Sequence, residues 1–548
     1  MRATNMKKAI LQTRMLLAPM VAVAMLLLTV GAYAAAPGIT GPSFDLRAEA
    51  AYITQPDGAM IYSWGYGCVS QNVTFAPAAI TNGFCNTMQI PGPTLIVTEG
   101  QTVTVTLTNN LPTAAGNTSI LFPGFNVTTS CSAPTPVGQP GLLTCEAQPS
   151  GTVTYTFTAA TPGTRAYYSG TQGDLQVEMG LYGAIIVLPA TPGGAGSPCP
   201  TLASGPNHTA QAFWGEKEFR LAPAAYDHPK TCYDREYLFQ FSEIDPRIHI
   251  EAQQQVAAAN CVPIGNPPAL PSTCNLNVAT EPYVPAYFMI NGRSMPDDMD
   301  SNYAQQYPHQ PYNGNPHMHP GEQVLLRVVG QGRWQHPFHE HGNHVRVLAR
   351  DGNLILSSIS PTDPNLAGPL LFTTTTTPGQ AMDGIFYWTG KGLNWDAYGH
   401  TPNPQSQDPL ASLPCNPDAN GYNTGDPTAL NYYEWCQDHN KALETHPFSK
   451  DISGAGPATL PDANILTNGA WYGGSPYLGP NATVRAVGFT GTTPPSGTIA
   501  NPPTEEAGFA YMWHSHNERE ITTNNIFPGG MMMMMLVDSR EFKIDESF

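Results

Sequence analysis

The chain is poor in charge. Only 12% of its 548 residues are charged, and carboxylates outnumber Lys and Arg 41 to 23. So few cations, with a formal net charge of −18, argue against nucleic acid and against an anionic membrane surface as partners. No glycine-rich phosphate loop and no Gly-x-Ser-x-Gly elbow occurs, so a hydrolase has little to rest on. Cys-x-x-Cys-His is absent, which removes covalent haem. Long helical periodicity is scarce. One long apolar run occurs, Leu16 to Val30, preceded by Lys7, Lys8 and Arg14 and followed by Ala32-Tyr33-Ala34. It is short for a membrane span and reads as a secretory signal peptide over residues 1–36. The chain is therefore expected to be exported, to a periplasm or outside the cell, with no membrane span after cleavage.

Glycine and proline are abundant, with 52 and 54 residues. Short alternating runs such as "TLIVTEGQTVTVTLTN" and "GTVTYTFTAA" read as antiparallel strands with one buried face. The class is all-β, a sandwich or a barrel. Ten cysteines in an exported chain suggest disulfides. They fall as near neighbours: Cys68/Cys85, Cys131/Cys145, Cys199/Cys232, Cys261/Cys274 and Cys415/Cys436. Five local bridges are expected, although spacing alone does not fix connectivity.

Two stretches look alike, "VTEGQTVTVTLTNNLP" from Val97 and "MHPGEQVLLRVVGQG" from Met318. Each is followed by a short motif ending in glycine, "LFPG" (Leu121 to Gly124) and "HEHG" (His339 to Gly342). Each closes with an aromatic strand, a polar loop and an apolar strand, which sets Tyr168-Ser169-Gly170 opposite His514-Ser515-His516. Two β domains of common plan are expected, residues 37–195 and 205–548, the second enlarged by an insertion over about residues 390–505.

Alternate residues of a strand face one way. His339 and His341 therefore share a face if extended, as do His514 and His516. Were the two segments neighbouring strands, four imidazoles would converge, a donor set that suits copper or zinc. Copper(II) is the tighter binder, and an oxidising compartment favours it.

"HPFHEHG" and "WHSH" resemble the two histidine motifs of the last cupredoxin domain in multicopper oxidases, and "PGPTLIVTEGQTVTVTLTN" with "GLYGAIIV" resembles the first domain. The resemblance spans most of the chain after the signal and is weakest in the insertion. It implies two cupredoxin-like Greek-key β-sandwiches. It also implies that His339 is a type 2 copper ligand, that His341, His514 and His516 are type 3 ligands, and that His336 is a type 1 ligand. The departures are equally specific. Leu121, Pro123, Tyr168 and Gly170 stand where the first domain's histidines would be, so that domain has no metal ligands. Ser515 replaces the type 1 cysteine, and Glu520 occupies the place of the second type 1 histidine. A hydroxyl and a carboxylate favour a hard cation over the fast electron-transfer copper geometry.

Three further features remain. His317 and His319 in "NPHMHPGE" have strand spacing and read either as a polar strand start or as ligands of a second site. The run Met531 to Met535 reads as a core strand, because methionine fills irregular gaps, with Met531 the candidate for an axial ligand. "SEIDPRIH" reads as a loop held by Asx turns, the alternative being a cation held by Glu243, Asp245 and His249. The resulting expectation is an exported copper-binding protein resembling multicopper oxidases. It could act on a reduced metal ion or a phenol, bind copper without turnover, or be a structural cupredoxin surface protein. The oligomeric state is left open, a homo-oligomer included.

Overall fold

The computed structural model describes residues 35–131, 138–194, 199, 216–266, 268–358, 365–388, 506, 508–538 and 543–546, with short pieces between 416 and 500. The signal segment, most of the insertion and the Cys415/Cys436 pair lie outside the described residues.

Four sheets carry the fold. In the first half, the order of one sheet is Gly163–Tyr168, Tyr182–Leu188, Leu95–Thr98, Gly38–Thr40, Phe75–Ala76. The order of the other is Met60–Cys68, Ser43–Thr54, Thr102–Asn109, Thr152–Thr158, Thr128–Ser130. Between them the inward residues form a core that includes Leu46, Trp64, Val105, Tyr155 and Ile185. The second half repeats this plan. One sheet runs Tyr287–Ile290, Arg235–Ile244, Gln323–Gly330, Ala381–Tyr387, Val345–Arg350, Asn353–Leu354. The other runs His317–Met318, Met532–Asp538, Gly508–Ser515, His336–Glu340, Thr373–Thr376. These are two β-sandwiches of the cupredoxin type.

The internal repeat is geometric as well as textual. In the first half Val97 pairs in parallel with Val187 of the closing strand; in the second, its counterpart Met318 pairs in parallel with Val537. Strand alternation then decides the methionine run. Met531, Met533 and Met535 are fully buried among Phe239, Phe338, Tyr511 and Trp513. Met531 sits in this core as well.

Four disulfides are present, Cys68–Cys85, Cys131–Cys145, Cys199–Cys232 and Cys261–Cys274, and none of the described cysteines is free. One segment differs from its sequence reading. "DPRIHIEAQQQVAA" is a helix over Pro246–Ala258, not a loop. Asp245 caps it by accepting from Arg247 N, and Pro246 occupies the first helical position, where its missing N–H costs nothing. The Asx-type hydrogen bond expected there exists, but it starts a helix. Among the described residues, no helix is long and apolar enough to cross a membrane.

Candidate metal centre

Antiparallel pairing of His336–Glu340 with Gly508–Ser515 sets His339 directly opposite His514. The His516 amide donates to Pro337 O at 2.8 Å, so the chain leaves the sheet still alongside its partner. After His341 the chain turns at Gly342, whose φ of +100° and closeness to the Tyr511 ring suit glycine alone. The result is a cluster of four rings. Centroids are 4.9 Å apart for His339 and His341, 5.5 Å for His339 and His514, 4.7 Å for His339 and His516, and 5.2 Å for His341 and His514. One nitrogen from each of His339, His341 and His514 falls within 4.8 Å of the others.

Hydrogen bonds aim these rings. His514 Nδ1 donates to Ser515 O at 2.7 Å, which leaves Nε2 of the neutral ring with its lone pair 3.3 Å from His341 Nε2. His339 Nδ1 is hydrogen-bonded to Thr373 Oγ1 at 2.6 Å, and Trp513 Nε1 donates to His341 O at 2.9 Å. Such outer contacts fix which ring nitrogen is offered to an ion. Burial, with repulsion from His341, His514 and His516, pushes the His339 imidazole down to about 4. Burial lowers His514 too. Both rings are therefore neutral near pH 7, the state that ligates metals. His339 and His514 are buried, His341 is half-buried and His516 is exposed, so the cluster opens to solvent on one side. Phe372 stands edge-on to His339 and His344 at that rim, with centroids 5.7 and 5.1 Å away.

His336 and Glu520 belong to a different constellation. The fully buried His336 ring lies between two carboxylates, with Nδ1 2.9 Å from Glu520 Oε2 and Nε2 3.0 Å from Glu243 Oε2. Ser515 Oγ donates to the same Glu520 oxygen. Glu243 Oε1 accepts from the Arg333 and Trp334 amides at 2.7 and 2.8 Å, and only glycine at 332 leaves room, since a Cβ there would sit 2.4 Å from Glu243 Oε2. Burial alone would depress the imidazole, but hydrogen bonds and charge from Glu243 and Glu520 outweigh it and raise it to about 9. His336 is thus an imidazolium with both N–H groups engaged. Glu243, read in sequence as part of a loop or as a cation ligand, is the partner that sequence spacing could not reveal.

In the first half, Leu121 bridges Tyr168 in the position that His339 and His514 hold in the second. A Cβ on Gly170 would meet the Leu121 side chain at 2.8 Å. The corresponding place is therefore filled by hydrocarbon.

Models of multicopper oxidase domains match residues 70–192 and 279–384. An L-ascorbate oxidase of Brassica rapa subsp. pekinensis is 36% identical over 99 residues, 18% of this chain and 16% of that protein. Laccase-1 of Botryotinia fuckeliana is 33% identical over 129 residues, 23% of this chain and 22% of that protein. The chain belongs to the multicopper oxidase family. The matched stretches span well under a quarter of these relatives' own length. Among solved structures, the multicopper oxidase mgLAC covers 90% of this chain and 86% of its own, at 15% identity and a TM-score of 0.42. A blue copper oxidase from Nitrosomonas europaea covers 90% and 85%, at 14% identity and a TM-score of 0.40. As a multicopper oxidase family member, the chain is expected to carry copper, and its donor atoms divide. Three converging imidazoles, with a fourth ring beside them, fit a copper ion. The Ser515, His336 and Glu520 group does not fit a type 1 copper: it has no thiolate, and both nitrogens of its imidazole are hydrogen-bonded to carboxylates.

Proposed function

We propose that this is an exported copper protein of oxidoreductase type, with copper held by His339, His341 and His514 and with His516 at the open edge. The observation that carries this reading is the convergence of the imidazole nitrogens within 4.8 Å. Bound there, copper would supply one-electron redox chemistry. The protein's part is to keep His339 and His514 neutral, aim those two rings through Thr373 and Ser515 O, and leave one side open. Without a thiolate relay, a reductant has to approach the cluster itself. The exposed His516 edge permits this, and Phe372 offers a face or edge for a phenol. A reduced metal ion is the other substrate class, favoured by the acidic surface. We infer that His336 and Glu520 are not ligands.

A second reading is supported by the hydrocarbon at Leu121 and Gly170 and by the filled type 1 place: the protein binds copper without turnover. One experiment decides between them. The purified full chain is loaded with copper, its metal content and electron paramagnetic resonance are recorded, and oxygen uptake is followed with a phenol or Fe(II). Oxygen uptake that depends on bound copper supports the oxidoreductase. Bound copper with no uptake supports the second reading, and no stoichiometric copper removes both.

A further inference from the structure

His317, one of the two histidines of "NPHMHPGE", stands apart from the imidazole cluster, with its own set of donors. Its Nδ1 is 2.7 Å from Asp538 Oδ2 and 3.7 Å from Glu506 Oε1. One ligand atom from each of these three residues falls within 4.8 Å of the others. His317 and Asp538 are buried and Glu506 is about a quarter exposed, so a path from solvent exists on the Glu506 side.

The sheet builds this group. Asp538 is opposite Gly508, and Gly508 is opposite Tyr477 on the next strand. Glycine puts no side chain in that row, and the Tyr477 hydroxyl reaches across to Asp538 Oδ1 and lies 3.4 Å from Glu506 Oε1. On the far side, parallel pairing of Met318 with Val537 brings His317 and His319 against the same strand end. His319 Nδ1 donates to Asp538 O at 3.1 Å, and its Nε2 bonds Glu216 at 2.7 Å. Asp538 is thus fixed from both sides.

Charge in this place is unbalanced. Glu506 and Asp538 are close neighbours, and the nearby Arg235 is committed to Glu216 and Glu322 at 2.6 Å each. A further acid, Glu546, is buried close enough to interact with Asp538, and its Oε2 has no hydrogen-bond partner among the described residues.

We propose that His317, Asp538 and Glu506 form a second metal site, separate from the imidazole cluster, that takes one divalent cation of the zinc class. An imidazole with two carboxylates is a donor set zinc accepts, with bonds near 2.0–2.2 Å to nitrogen and oxygen. An ion there would neutralise the carboxylate pair, and Tyr477 and His319 would orient its ligands. The two sites share the Gly508–Ser515 strand. Six residues separate Gly508 from His514, on the order of 20 Å at about 3.3 Å per residue. Each site can therefore be emptied without disturbing the other.

The test uses the full chain carrying His514→Ala and His516→Ala, titrated with Zn2+ alone and then dialysed. One zinc per chain is expected to remain, and Zn2+ is expected to raise the melting temperature. Adding Glu506→Gln should lower zinc affinity at least tenfold and remove that rise, while the melting temperature without zinc stays that of the parent. Glu506→Ala, which adds no new donor, should do the same. No retained zinc in the His514/His516 background, or retention indifferent to both Glu506 variants, overturns the proposal.

Discussion

At the residue scale, His336 is the most informative side chain in the molecule. The sequence resemblance makes it a type 1 ligand, and in the structure its two ring nitrogens meet Glu520 and Glu243. The linkage has a definite sign. His336 sits at about 9 folded against about 6.5 unfolded, so the folded state holds the extra proton between those values. Its stabilisation is complete below pH ~6.5 and is lost as pH rises through about 9. The size is roughly 3 kcal/mol, since each tenfold gain in proton affinity on folding contributes about 1.4 kcal/mol. Denaturant unfolding at pH 6.5 and pH 9.5 should show a loss of that order, and His336→Gln should flatten the dependence. His336→Gln should also cost about 3–5 kcal/mol near pH 7, because it leaves buried carboxylates without their cation. Ser515→Cys by itself should give no intense thiolate–copper absorption in the visible, since both His336 nitrogens are engaged by Glu520 and Glu243.

At the element scale, the closing strand Met532–Asp538 joins packing to chemistry. Its inward methionines complete the core, and its last residue, Asp538, meets His317. Met533→Ala should destabilise the protein by about 2–5 kcal/mol, measured by thermal or denaturant melts, with copper stoichiometry unchanged. The helix Pro246–Ala258 depends on its first residues. Asp245→Ala removes the cap and should cost about 1–2 kcal/mol. The sequence "SEIDPRIH" holds that signal, an Asp followed by Pro and then helix formers. The β character of the surrounding chain and the habit of Asp-Pro to mark loops both mask it.

At the scale of the whole molecule, two similar sandwiches have diverged in what their equivalent strand ends carry. The first presents Leu121, Tyr168 and Gly170, and the second presents His339, His514 and His516. Replacing His514 and His516 together by Ala should abolish copper binding at the cluster, read by metal content and by loss of the imidazole-coordinated electron paramagnetic resonance signal. Unchanged copper content would remove the site assignment. The halves are joined by buried polar contacts, among them those of Asp383, which accepts from Thr164 N at 3.1 Å and from Thr164 Oγ1 at 2.6 Å. Each half therefore supports the other, and the full chain is the unit on which such measurements belong.

Alternation and repetition are local properties, and they are readable directly: the β class, the duplicated plan, the buried methionine run, the four described disulfides and the two His-x-His pairs. Which side chains meet across strands is not local. The pairing of His339 with His514 required a strand register. The capture of His336 by Glu243 required a glycine at 332 that admits a carboxylate 93 residues distant in the chain. The meeting of His317, Asp538 and Glu506 required a parallel strand pair with Gly508 beside it. A sequence specifies which donors exist and which face of a strand they take. Only the packed sheets bring donors from distant segments within a few ångströms, because burial and hydrogen-bond geometry are set jointly by every strand in the layer.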